Sequence, residues 1–279
     1  KLNLDLLDYR VAAFGDRAVL IFRPVGFDLS SVLTANSPFF DTGRGALSRF
    51  AEASPVFKLG ALDAGLGFDG LLTDKLRFQF AYGTRTSADP SQGITGADHS
   101  AIGVQLLVKP APHILAGLAY VNAYAADGRL DTFTGSLNAD LSGGLGSPAQ
   151  INAISGTLQW RFAENLTFAT WGGWIWTDYI DRSASAEATT YAFSVALSDP
   201  FGRDGDVLAL IFGQPPRLVA GTGGIQADRD TSFHIELFYR LKLNDHISIT
   251  PGFFVITNPE HNADNSAIWV GTIRTTFRF

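Results

Sequence analysis

Residues 267–279 read AIWVGTIRTTFRF. Trp269, Ile273, Phe277 and Phe279 fall on one parity and Thr272, Arg274, Thr276 and Arg278 on the other, the period of a strand with one apolar and one wet face. Two arginines on the wet side do not belong in a dry core, where an unpaired charge is strongly disfavoured. A strand in the wall of a transmembrane barrel satisfies both faces, with the apolar side to lipid and the polar side to an aqueous lumen.

The same alternation recurs upstream. Leu76, Phe78, Phe80 and Tyr82 oppose Arg77, Gln79 and Ala81; Phe233, Ile235, Leu237, Tyr239 and Leu241 oppose His234, Glu236, Arg240 and Lys242; Leu158, Trp160 and Phe162 oppose Thr157, Gln159 and Arg161. Thirteen segments read as strands: 2–12, 17–24, 57–69, 75–83, 100–109, 113–124, 154–162, 166–176, 188–197, 206–213, 232–243, 247–257 and 267–279. The first two are less clean, because Leu6 and Leu7 break parity. Connections alternate between short (14–16, 72–74, 110–112, 163–165, 244–246 and the slightly longer 198–205) and long (25–56, 84–99, 125–153, 177–187, 214–231 and 258–266). Short turns on one rim and long loops on the other are the habit of outer-membrane barrels, and a soluble sandwich has no reason to alternate so strictly. Aromatic residues beside the turns, Trp160, Phe162, Tyr239, Phe277 and Phe279, suit an interfacial girdle.

Composition narrows the field further. Only 17% of the 279 residues are charged, and the 29 Gly and 22 Phe suit many short strands better than a helical bundle. Cysteine is absent, which removes disulfides and thiol chemistry. No apolar run reaches the roughly 18 to 20 residues that a spanning helix needs. Residence in a membrane therefore requires a closed barrel, since lipid cannot satisfy an open sheet edge. The expected fold is all-β, a transmembrane antiparallel β-barrel, with 1–279 as a single barrel domain. Counting back from Phe279 on the short-turn rim puts the first strand's start on the long-loop rim, so an odd number of strands is expected upstream of Lys1, which is not read as a translation start.

Three blocks carry a family resemblance: 244–252 (NDHISITPG), 256–262 (ITNPEHN) and 271–277 (GTIRTTF). With 36–40 (NSPFF), 43–50 (GRGALSRF) and 230–234 (DTSFH), the chain resembles the OprB-like porins, in the cyanobacterial branch often labelled iron-uptake porins. The resemblance implies a sixteen-stranded, homotrimeric barrel in the outer membrane of a cyanobacterium, or a related plastid envelope. It also implies an upstream surface-layer-homology domain that holds peptidoglycan-linked polymer, a domain expected to be missing here together with the first strands. Lipid, a homotrimer, and small ions or sugars as permeants are the implied partners; nucleic acid is not.

Candidate chemistry is sparse, and neither cofactor nor metal is expected. Ser232, His234 and Glu236 invite a catalytic reading, but residues two apart on a strand have Cα atoms about 6.5–7 Å apart, too far for a ready-made relay. Glu260 and His261 lack a second ligand cluster nearby. Gly221–Gly224 precedes neither Lys-Ser/Thr nor a helix and is no phosphate loop. Segment 25–56 stands out, because loops beyond about 12–15 residues are usually functional or disordered. Folded inward it would narrow the pore, with Arg44 or Arg49 at the constriction; folded outward it would cap a trimer centre. Parity gives Asp63, Arg77, Arg161, His234, Glu236, Arg240, Arg274 and Arg278 to the pore lining. With Lys109 and Lys242 set against Asp69, that makes a net basic wall despite a chain charge of −6. The expected function is passive diffusion of small hydrophilic solutes and inorganic ions. A sugar-selective channel, hinted at by inward Trp171 and Phe238, and a mainly structural tether of outer membrane to wall are the alternatives.

Overall fold

The computed structural model describes residues 4–278 apart from 16, 42, 88, 90, 92–95 and 142–145. Leu2 of the first expected strand, Asp16 of the first tight turn and Phe279 of the aromatic band lie outside the described residues.

Thirteen strands form one antiparallel sheet in which each pairs with its sequence neighbours: β1 Leu7–Ala13, β2 Ala18–Val25, β3 Ala64–Thr73, β4 Leu76–Thr84, β5 His99–Ala111, β6 Ile114–Ala125, β7 Ala149–Ala163, β8 Leu166–Tyr179, β9 Ser185–Ser198, β10 Val207–Gly221, β11 Phe233–Lys242, β12 Ile247–Thr257 and β13 Ile268–Phe277. Among the described residues β1 and β13 do not pair with each other, so the sheet is curved but open, as the strand count implies. Among the described residues no helix is long and apolar enough to cross a membrane.

Two boundaries differ instructively from the sequence pattern. The expected strand 57–69 starts late, at Ala64, because Pro55–Lys58 closes a 3-10 turn, with proline at a helix start where no N–H is required. The tenth strand runs past its expected end at Gly213 and through Pro215 and Pro216, where the pairing with β9 shifts register between Gln214 and Arg217. Proline cannot donate to the ladder, and an irregularity is where a sheet tolerates it.

Register assigns the two faces. Outward go large apolar side chains, among them Leu118, Phe193, Trp269, Ile273 and Phe277, all well exposed on the isolated chain. A surface of this kind fits lipid rather than water. Aromatic residues gather at the short-turn rim, where Phe14 and Phe201 sit in turns, Trp160 and Phe162 lie 5.5 Å apart, and Phe201 meets Tyr239 at 6.0 Å.

The inner face is less polar than parity alone suggests. Ala101, Ala119, Ala123, Ala153, Ala169, Ala188, Ala192 and Ala209 are buried there, together with Val121, Ile151, Ile175 and Ile211. They are covered mainly by the long connection between β2 and β3, which turns inward, with Leu130, Ala139 and Leu141 of the connection between β6 and β7 sharing the same cluster. Phe27, Leu29, Leu33, Val56, Phe57 and Leu59 of the β2–β3 connection are almost completely buried against this wall. Full burial of such side chains contributes roughly 1.5–3 kcal/mol each, so the inner wall and the loop together form a core inside the barrel.

Candidate functional site

The loop between β2 and β3 holds three short helical pieces: Leu29–Ser31, α1 Arg49–Glu52 and Pro55–Lys58. Ser48 caps α1, its Oγ accepting from the Ala51 N–H at 3.2 Å. One side of the loop is apolar and finds depressions made by small wall residues. An added Cβ at Gly67 would lie 2.3 Å from Val32, so only glycine lets the loop approach so closely there. Gly45, where a Cβ would overlap the Phe39 carbonyl, allows the tight fold of 39–46 onto itself.

Polar anchors fix the loop to the wall at mid-strand. Gln79 of β4 exchanges two 2.9 Å hydrogen bonds with Thr34, and Gln105 of β5 donates to the Thr34 carbonyl at 3.1 Å. Asn36 donates to Thr157 of β7 at 2.8 Å, and Ser155 to Ser54 at 2.9 Å. On the other side, Glu236 of β11 accepts from the Leu47 N–H at 2.6 Å and the Ser48 N–H at 3.1 Å. Arg274 of β13 donates to the carbonyls of Gly45 at 2.6 Å and Ala46 at 2.9 Å, and Thr276 donates to Gly43. Phe39 and Phe50 complete the seam, packing edge-on against Phe238 at 5.5 Å and Trp171 at 5.2 Å.

What remains open beside the loop is a cavity of about 670 Å³. Its lining includes Arg10, Arg23, Arg49, Lys58 and Arg274 against Asp28, Asp41 and Glu52, with Phe40 between them. Asp8 holds Arg23 at 2.8 Å and Arg10 at 3.1 Å without itself lining the cavity, so the surroundings stay net positive when it is counted. Burial raises the Glu52 carboxyl above its ordinary range, outweighing the nearby Lys58 and Arg49 cations. At Asp41 burial acts in the same direction, but hydrogen bonds from the Gly43 and Arg44 N–H groups and from the Arg44 side chain hold it below the usual carboxylate value. Asp41 is thus a firm anion in the cavity and Glu52 a weak one.

A family model for carbohydrate-selective porins, the OprB family, matches residues 57–279. The chain belongs to the OprB porin family. It is an outer-membrane β-barrel protein of a channel family, not an enzyme. Its fold is similar to that of Pseudomonas putida OprB, at a TM-score of 0.63 over 99% of this chain and 73% of that one, with 12% identity. It is also similar to OmpT, an outer membrane protein of Vibrio cholerae, at a TM-score of 0.54 over 93% of this chain and 77% of that one, with 9% identity. Curated relatives include an uncharacterized protein of Synechocystis sp., 32% identical over 95% of this chain and 52% of its own length. Another, from Nostoc sp., is 28% identical over 99% of this chain and 50% of its own. The chain spans about half the length of these relatives.

Within this porin the residues singled out from sequence have separate fates. Arg49 reaches the cavity, and its guanidinium lies 4.7 Å from the Phe133 ring. Arg44 does not; it pairs with Asp41 and borders a different recess with Arg240 and Arg278. Arg274 lines the cavity while bonding the loop, whereas Arg240 points its guanidinium toward the carbonyls of Arg44 and Gly205. Arg278 pairs with Asp41 at 3.3 Å just beyond β13, and Arg77 with Asp69 at 3.3 Å. Asp63 precedes β3, its carbonyl taking the Phe27 N–H. Arg161 lies at the short-turn end, away from the cavity.

His234 and Glu236 occupy the inner face but lie beneath the loop, 1% and 0% exposed. Their side chains meet at 3.2 Å, closer than strand spacing suggests, because both lean along β11 toward the loop. The hydroxyl that joins them is Ser48, 3.0 Å from His234, and not Ser232, which bonds the Thr257 carbonyl. The trio is occupied in holding α1. His261 is likewise engaged at both ring nitrogens, by the Ser232 N–H and the Pro216 carbonyl, and burial holds its pKa below the ordinary value. Sequence reasoning missed Phe40, Asp41, Glu52 and Lys58 in the cavity. For the first three the signal was the alternation of loop 25–56 between large apolar residues and isolated charges; Lys58 was hidden because 57–69 reads as a strand, whereas the loop runs on until β3 starts at Ala64.

Proposed function

We propose that this chain contributes the wall and the constricting loop of a passive, water-filled pore for small hydrophilic solutes and inorganic ions, assembled as a homotrimer and favouring anions. The cavity beside the loop carries the proposal: five cations and three carboxylates border it, and one of those carboxylates, Glu52, is held by burial toward its neutral form. Inside a low-dielectric tube such charges act on an ion at close range, while charges on outer loops more than a Debye length of about 8–10 Å away are largely screened. No step of turnover is involved; discrimination comes from the side chains at the narrow level.

The experiment is a reversal-potential measurement across a KCl gradient with the full-length protein in planar bilayers. Chloride should permeate better than potassium, and Arg49→Ala should reduce that preference. Potassium preference that Arg49→Ala leaves unmoved would overturn the reading.

A sugar-conducting role is the second reading, favoured by Phe40, which is 41% exposed at the cavity beside Asp41 and Lys58. An aromatic face flanked by charged groups suits a sugar ring. Trp171 and Phe238 give no such support, being covered by Phe50 and Phe39. Concentration-dependent block of chloride current by neutral oligosaccharides, weakened by Phe40→Ala, would select this reading.

A further inference from the structure

Parity alone counts seven cations on the inner wall, and five of them are engaged. Arg77 pairs with Asp69, Lys242 with Asp245 and Arg278 with Asp41. Arg274 bonds two loop carbonyls, and Arg240 is directed at the carbonyls of Arg44 and Gly205. Lys109 of β5 and Arg161 of β7 make no ion pair among the described residues. The fold brings these two to the same place. They border one recess of about 340 Å³ on the inner face at the short-turn end, together with His113, Gln159 and Thr167. No carboxylate lines it; Glu164 borders the adjoining hollow, which His113 and Arg161 share.

Local structure holds the groups in register. Arg161 pairs across to Thr167 of β8, and Leu115 of β6 pairs to Gln159. The Arg161 N–H donates to the His113 carbonyl at 2.9 Å, which ties the β5–β6 turn to β7. The chemistry so gathered is donor-rich and cationic: a planar guanidinium fork, an ammonium point charge, an imidazole, a hydroxyl and an amide. A fork beside a point charge matches an anion with several oxygens better than a halide or a neutral sugar.

We propose that this recess is a binding site for a small inorganic oxyanion of the phosphate class at the short-turn mouth of the pore. The proposal rests on the pore reading for its role in permeation, but not for binding itself. Bound there, the anion would sit on the path of ions leaving or entering at that rim and slow chloride passage.

The test uses the full-length protein in planar bilayers in KCl, with inorganic phosphate added to one side at a time. Phosphate on the short-turn side should reduce chloride conductance at lower concentration than phosphate on the long-loop side. The double variant Lys109→Gln/Arg161→Gln should raise the half-blocking concentration by about tenfold or more, as expected for losing two charge-assisted contacts. Arg161→Lys, which keeps the charge without the fork, should fall between. Equal block from both sides, or a half-blocking concentration that the double variant leaves unchanged, would overturn the site. Phosphorus-31 line broadening with detergent-solubilised protein reads the same recess without conduction, and should be lost in the double variant. A protein that broadens the phosphate line yet passes no current keeps the recess and sinks the pore reading. One that conducts chloride with neither block nor broadening does the reverse.

Discussion

Glu236 is the side chain on which the position of 43–50 most depends. Its carboxylate is completely buried and takes two loop N–H groups, at 2.6 and 3.1 Å, while touching His234 at 3.2 Å. Glu236→Ala removes the acceptor and leaves two buried donors unmatched. At about 1.5–3 kcal/mol for each hydrogen bond to a charged group, the attached state of this segment loses roughly 3–6 kcal/mol. That corresponds to a shift of about two to four orders of magnitude in the equilibrium between attached and detached. Arg274 and Thr276 still hold 43–46 from β13, so the expectation is intermittent release of Leu47 to Phe50 and not loss of the whole loop. In single-channel recordings of the full-length protein the variant should show larger, noisier openings, and limited proteolysis should cut near Arg44 or Arg49. Glu236→Gln, which keeps one acceptor oxygen, should show a smaller effect of the same kind. Barrel integrity is checked independently by heat-dependent gel mobility. If Glu236→Ala folds and its conductance, noise and protease pattern equal those of the wild type, the carboxylate is not the anchor inferred here.

Three further outcomes follow from the same geometry. Because Glu52 carries a raised pKa and Asp41 a lowered one, acidification from neutral pH should neutralise Glu52 first and increase anion preference, and Glu52→Gln should abolish that pH dependence of the reversal potential. Gly67→Ala should push Val32 off the wall, costing about 1–3 kcal/mol by overpacking; the check is a lower thermal midpoint together with a changed conductance. Phe50→Ala should remove the contact with Trp171 and cost about 3–5 kcal/mol of loop packing, read as increased protease access to 43–50 while the barrel stays intact.

Much of the barrel was legible because its strands must satisfy two different solvents. Trp269, Ile273 and Phe277 against Thr272, Arg274 and Thr276 carry the period without help from any other part of the chain. The hydrogen-bonded strands follow that period almost everywhere; proline marks two of the departures, at Pro55 and at Pro215–Pro216, and others lie at strand ends such as Leu71–Thr73 and Arg161–Ala163. The inner wall was harder to read. Ala101, Ala119, Ala123 and Ala153 look neutral in a hydropathy pattern, and only the loop they receive shows that they form an apolar bed. Pairwise partners were not legible at all: nothing local to Glu236 indicates that it waits for backbone N–H groups nearly two hundred residues upstream, at Leu47 and Ser48.

The position of charge in the lumen follows from how the loop is seated. Its apolar side must meet an apolar wall, and the alanine-rich inner faces of β5 to β8 supply one, so at the level of the loop that sector of the lumen is filled by packing, while its short-turn end stays open at the recess of Lys109 and Arg161. The open sector is then bounded by the other side of the loop and by β1, β2 and β13. Most of the charges around it, Asp28, Asp41, Arg49, Glu52 and Lys58, come from the loop, and the wall adds Arg10, Arg23 and Arg274. On the pore reading, selectivity therefore lies mainly in a segment of the chain whose attachment depends on buried wall residues that touch no permeating solute. Substitutions at Gln79, Asn36 or Glu236 should accordingly alter permeation through loop position, whereas those at Arg49 or Glu52 should alter it through charge alone. The two classes separate in one comparison: added salt screens the second and leaves the first unchanged.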